Sequence, residues 1–143
     1  MRRDRHGRGL RGPLVPAGVP LVSSPADRFD RIASDAVAHV EHRWREQLAD
    51  VEFAVDLVPA ADDEDAVDDE IESAGVALAR VFPAEGSTAA HIVLYRKPIE
   101  LRAHDITDLE DLVHDVVVQI VADFLGLDPE IVDPGFDGED DAP

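Results

Sequence analysis

The sequence has no cysteine, so disulfides and thiolate metal sites are excluded. It has one tryptophan, one tyrosine, one methionine and five phenylalanines, which leaves aliphatic side chains to build the core. No run approaches 18 uninterrupted apolar residues, so no membrane span is expected. The five arginines at Arg2, Arg3, Arg5, Arg8 and Arg11 resemble the start of a secretory leader. The segment after them is broken by Pro13, Pro16, Gly18 and Pro20 and lacks a leader's continuous apolar stretch, so a cytoplasmic protein is expected. No glycine-rich phosphate loop is present. GRGLRG at residues 7–12 follows no strand, and Ser23, Ser24, Ser34, Ser73 and Ser87 sit in no nucleophile-elbow motif.

Positive charge is scarce and unevenly placed. The 143 residues carry a formal net charge of −19. Residues 1–24 hold five Arg against one Asp, a net +4, and the remainder carries −23. A domain of that charge repels nucleic acid and anionic membrane, so neither is an expected partner. The basic arm invites an anionic partner or the domain's own acidic surface, while its plainest reading is a solvated tail. Residues 60–73 contain eight acids and read as an exposed acidic loop, with cation binding as the sharper alternative.

The rest of the chain is patterned for a helix-on-sheet domain over residues 25–134, followed by an acidic tail at 135–143. Ser24-Pro25 is a helix start, with serine as cap and proline at the first helical position. Phe29, Ile32, Ala33, Ala36, Val37, Val40, Trp44 and Leu48 then recur at helical spacing, about six turns with one apolar stripe. VEFAVDLV at 51–58 alternates as a strand, with Val51, Phe53, Val55 and Leu57 facing one way. Gly75 opens a second strand, VALARVF. The turn at residues 85–88 leads to a third, HIVLYRKP at 91–98, which Pro98 limits or marks as an edge. Residues 99–106 read as a connection. The last helix is expected from a Thr107 cap with Glu110 completing a capping box, and Gly126 is its stop. Leu109, Leu112, Val113, Val116, Val117, Ile120, Val121 and Phe124 form its buried face. Asp128-Pro129 starts a short final turn. The expected class is therefore α+β: a long N-terminal helix and a long C-terminal helix packed on a sheet of three to four strands.

HIVLYRKPIE together with FLGLDPE resembles the minimal zincin-like metallopeptidases common in bacteria, over roughly residues 26–133. Those proteins carry a strand of the form R-I-x-L-Y-R-x-P and a helix bearing H-E-x-x-H-x-x-G-x-x-D. Aligning Gly126 on the motif glycine puts the first histidine at Gln119, the glutamate at Ile120 and the second histidine at Asp123. The third ligand falls on Pro129, with Asp128 beside it. Two histidines one turn apart hold zinc, and the glutamate takes a proton from the zinc-bound water. Gln119 and Ile120 are unsuited to those tasks, so no cofactor and no catalytic residue are expected. A residual oxygen site from Gln119, Asp123 and Asp128 would favour a harder cation.

The resemblance thus implies a catalytically degenerate domain that binds a protein or peptide, with Ile92, Leu94, Tyr95 and Arg96 as a strand edge for it. The alternative is an active zinc metallopeptidase with a non-standard metal site. Other histidines leave that question open. His114-Asp115 begins like the motif, but Val118 stands four residues after His114. His39 and His42 lie at i and i+3 with Glu46 beyond, most simply surface histidines. His91, His104 and His114 form a possible split site. A third reading is a regulatory partner acting through the basic arm.

Overall fold

A computed structural model describes residues 24–61 and 67–135. The expected basic arm apart from Ser24, the acidic tail apart from Gly135, and residues 62–66 of the acidic stretch lie outside the described residues. The elements in chain order are α1 (Pro25–Arg43), β1 (Glu52–Asp56), β2 (Asp69–Ser73), β3 (Val76–Phe82), β4 (His91–Tyr95), α2 (Arg96–Arg102), α3 (Ile106–Leu125) and α4 (Pro129–Val132). One mixed sheet has the order β1-β4-β3-β2, with β1 and β4 parallel and the other pairs antiparallel. No described helix is long and apolar enough to cross a membrane.

The Ser24 hydroxyl accepts the Asp27 amide at 3.1 Å, as the Ser-Pro pair predicts. Phe29, Ala33, Ala36, Val37 and Val40 make the buried stripe of α1. The helix is shorter than its apolar spacing suggests. Trp44 and Leu48 continue the stripe through the following turns, where Leu48 is buried. The Trp44 indole N–H donates to the Val132 carbonyl at 2.9 Å, which ties the end of α1 to α4.

Helix α3 begins before the expected Thr107 cap. The Asp105 carboxylate accepts the Asp108 amide at 2.8 Å, and the Asp108 carboxylate accepts the His104 amide at 2.8 Å. Two reciprocal aspartates satisfy the first turn, so Thr107 and Glu110 are not used as a box. Gly126 closes the helix at φ 72°, a left-handed position suited to glycine. Of the expected stripe on α3, Leu112 and Phe124 are half-buried and the rest buried, and Val118 and Ala122 are buried besides, because α1, the sheet, α2 and α4 all pack around the helix.

Two further expectations are corrected. Part of the acidic stretch is a strand: β2 pairs with β3 from Asp69↔Val81 to Ser73↔Val76. The ladder shifts register between Ile71 and Glu72, and Leu78 is the extra residue, a β-bulge. Leu78, Ala79 and Val81 all join the core beneath the helices, while Ala77 packs with Val93 and Tyr95 on the other face. Secondly, the chain after Tyr95 turns helical. Pro98 sits in the first turn of α2, where its missing N–H costs no intrahelical bond. Strand β1 ends at Asp56, whose carboxylate accepts the Leu57 amide at 2.8 Å, and Leu57 is exposed rather than facing the core.

Candidate functional site

Helix α3 carries the motif-aligned positions toward its C-terminal end, where it packs against β2 and β3. Gln119 is half-buried and Asp123 exposed on this helix, while Ile120 is completely buried in the core. Asp128 caps α4 without a side-chain hydrogen bond, and Pro129 is the first residue of that helix. Partial burial, and then the nearby Asp69 on β2, raise the Asp123 carboxyl above its ordinary value. A raised carboxyl is charged at a cost at pH 7, and the cost disappears as the pH falls through the raised value. Asp123→Asn is therefore expected to stabilise the fold at pH 7, by about 0.5 kcal/mol or less because the group is exposed. Thermal melts at pH 7 and pH 4 check this: the gain should shrink at the lower pH.

The residues expected to form a peptide-binding edge are placed differently. β4 lies between β1 and β3 and is paired on both sides. Ile92 and Leu94 are buried in the main core, and Tyr95 is buried on the opposite face beneath the Arg80 guanidinium, 5.8 Å from the ring centre. Arg96 bonds Glu100 one helical turn on, at 3.2 Å. The free edge among the described strands near α3 is β2, not β4.

The histidines also separate. His91 stacks on Phe82 at 4.9 Å, and its Nδ1 lies 3.3 Å from the Ala89 carbonyl. His104 stands at the start of α3, and His42 lines a surface cavity with Glu41, Arg45 and Leu48. The split set of His91, His104 and His114 is not assembled. His114 instead meets His39 from α1 and Asp133 from the end of α4. His114 Nε2 is 2.7 Å and His39 Nε2 is 3.6 Å from the same oxygen, Asp133 Oδ2. The two imidazole centres are 5.3 Å apart. Asp133 is nearly buried, at 8% exposure, and its other oxygen accepts the Gly135 amide at 3.0 Å. Burial alone would raise its carboxyl, but the Gly135 amide and the two histidines outweigh that and hold it below its ordinary value.

Sequence reading left out Asp133, which sits in a Asp-Pro-Gly turn like any other. The available signal was positional: His39 borders the Ala36–Val40 stripe of α1, and His114 borders the Val113–Val117 stripe of α3. Two helices that pack through those stripes bring the margins together.

Compared with known families, residues 48–136 match the model of the zincin-like metallopeptidases. That is more than half of the chain, and it spans the sheet, α3 and α4. The chain belongs to this family. No curated protein matches it. The α+β architecture, with long helices on a four-stranded sheet, is consistent with a zincin-like fold.

In a zincin, zinc needs nitrogen or carboxylate donors converging from the motif helix. The positions expected from the alignment on Gly126 offer that ion few donors. The Gln119 side-chain amide is a poor ligand, Pro129 offers no donor, and Asp123 supplies one carboxylate. No histidine anywhere in the sequence is followed by glutamate.

Proposed function

We propose that this zincin-like domain is a catalytically degenerate member of its family that binds an extended, basic protein segment without cutting it. The observation that carries the reading is Ile120. It has 0% exposure and carries no ionisable group, and the alignment on Gly126 sets it against the family's proton-accepting glutamate. Gln119 and Asp123 occupy the positions of the two histidines. A hydrolytic site therefore has neither its metal ligands nor its base.

Binding is supported by the sheet. β2 has a single strand neighbour among the described residues, and an edge strand offers backbone donors and acceptors to an incoming chain. Its sequence, DEIES, carries three acids, with Asp69 close enough to Asp123 to perturb it. Such an edge selects arginine- or lysine-rich segments and rejects acidic ones. Nucleic acid and membrane are not proposed partners, because the charge of the domain repels both.

The test uses short labelled peptides alternating valine with arginine or with glutamate, read by fluorescence anisotropy. The arginine peptide should bind in the micromolar range, more weakly as salt rises, and Asp69→Lys/Glu72→Lys should weaken it by about tenfold. Equal binding of both peptides, or of neither, defeats the edge as a docking strand. Casein is offered in parallel, with and without added zinc, and should remain intact. A second reading, an active zinc metallopeptidase with a non-standard site, draws on the meeting of His39, His114 and Asp133. Chelator-sensitive cleavage of casein would establish it.

A further inference from the structure

We infer that His39, His114 and Asp133 form a transition-metal site, occupied by zinc, that links α1, α3 and the turn after α4. The site is separate from the motif positions of α3, and the inference does not rest on the peptide-binding reading.

Three observations converge. The first is donor chemistry. Two imidazoles and one carboxylate are a usual zinc set, and neutral imidazole favours zinc, copper or nickel over magnesium or calcium. The second is geometry. One ligand atom from each residue lies within 4.8 Å of the other two, and two of the distances are already 2.7 and 3.6 Å. Ligand atoms about zinc stand roughly 3.3 Å apart, given bonds of about 2.0–2.1 Å in a tetrahedron. The His39 imidazole, half exposed at its rim, has room to close the remaining gap.

The third is the way Asp133 is held. A carboxylate at 8% exposure is costly without partners. Here the Gly135 amide fixes Oδ1, which turns Oδ2 toward both histidines. The Trp44 indole pins the preceding carbonyl of Val132 to the end of α1, so the turn carrying Asp133 is anchored on the same helix that carries His39. An oriented outer contact of this kind is what positions a metal ligand. Both histidines also line a cavity of about 290 Å³, together with Asp35, Glu110 and Ile32. Asp35 and Glu110 each lie one helical turn before a ligand histidine and add negative charge beside the site, and a water from the cavity can serve as the fourth ligand.

A metal here joins residues far apart in sequence and binds the folded chain alone. It therefore adds stability in proportion to the logarithm of its concentration over its dissociation constant. The full chain, stripped with chelator, is titrated with zinc in excess magnesium, which fills hard oxygen sites on the acidic surface. Calorimetry should show about one zinc per chain at micromolar affinity or tighter, and cobalt in place of zinc should give the visible bands of a tetrahedral centre. His39→Ala, His114→Ala and Asp133→Asn should each weaken binding by at least about tenfold, the loss already typical of an outer-shell partner. His42→Ala and His104→Ala should leave it unchanged. His39 is half exposed, so its variant tests the site even if a change at Asp133 unfolds the turn; circular dichroism without metal confirms the fold. Absence of saturable zinc binding overturns the inference. So does stoichiometric binding that survives His39→Ala and His114→Ala. Casein cleavage by the zinc-loaded protein would overturn the proposed function instead, and leave this site standing.

Discussion

Placing the family's glutamate back on the motif helix should unfold this protein. Ile120 is fully enclosed in the cluster that joins α1, α3 and the sheet. Ile120→Glu would put a carboxylate there with no partner, at a cost of several kcal/mol, against a total stability of about 5–15 kcal/mol for an ordinary domain. Ile120→Val, which keeps the shape and loses one methylene, should cost only about 1 kcal/mol. Urea melts followed by circular dichroism separate the two. A cooperative Ile120→Glu variant melting within a few degrees of the parent would mean that residue 120 opens onto a cleft, as a catalytic glutamate does. The proposal that this chain is catalytically degenerate would then lose its main support.

Loss of the Arg80 guanidinium should have the next largest effect. Arg80 is 5% exposed, donates through Nε to Glu70 at 2.9 Å and through Nη1 to the Ala60 carbonyl at 3.0 Å, and covers the Tyr95 ring. Burial works against its charge, but the hydrogen bond to Glu70 and the neighbouring Tyr95 more than compensate and keep it above its ordinary value. Glu70 is held below its ordinary value first by a hydrogen bond with Glu72 and then by Arg80. Arg80→Ala removes the partner of two acceptors, and should cost about 3 kcal/mol. A carboxylate with a depressed value contributes its stability above the unfolded value and loses it as pH falls through the folded one. The advantage of the parent over Arg80→Ala should therefore narrow below about pH 4.5, the ordinary value for glutamate. Arg80→Lys should recover part of the loss, because one ammonium cannot replace a planar fork that bonds two partners. A loss under 0.5 kcal/mol for Arg80→Ala would reduce the pair to a surface contact.

The parts of the fold that were legible in the sequence are those governed by local pattern. Ser24-Pro25 set the start of α1, the 3.6-residue stripe from Leu109 to Val121 set α3, Gly126 set its end, and VALARVF and HIVLY were plain as strands. The parts that escaped depend on partners distant in sequence. DEIES is polar at four of five positions, and it becomes a strand because β3 supplies the ladder. RKP reads as the end of a strand and IELR as a connection, yet proline is as comfortable in the first turn of a helix. The order of strands is absent from any local pattern, which is why β4 looked like an edge and is central. The candidate site divides in the same way. The expected motif positions on α3 follow from counting back from Gly126, a rule local to one helix. The meeting of His39, His114 and Asp133 needed the packing of α1 on α3 and the return of the chain through α4.

The bulge at Leu78 bears on how the length of this chain can vary. Ile71 pairs with Ala79 and Glu72 with Ala77, so removing Leu78 would leave a regular ladder with every flanking side chain on its present face. The loss would be the packing of one buried leucine. The same single-residue deletion within β4, paired on both sides, would turn half the strand inside out. A zincin-like sequence one residue shorter than this one can therefore close its gap at residue 78 and keep its sheet. When such sequences are aligned, that is the position at which a gap leaves the strand pairing intact, and HIVLY is the stretch that must stay whole.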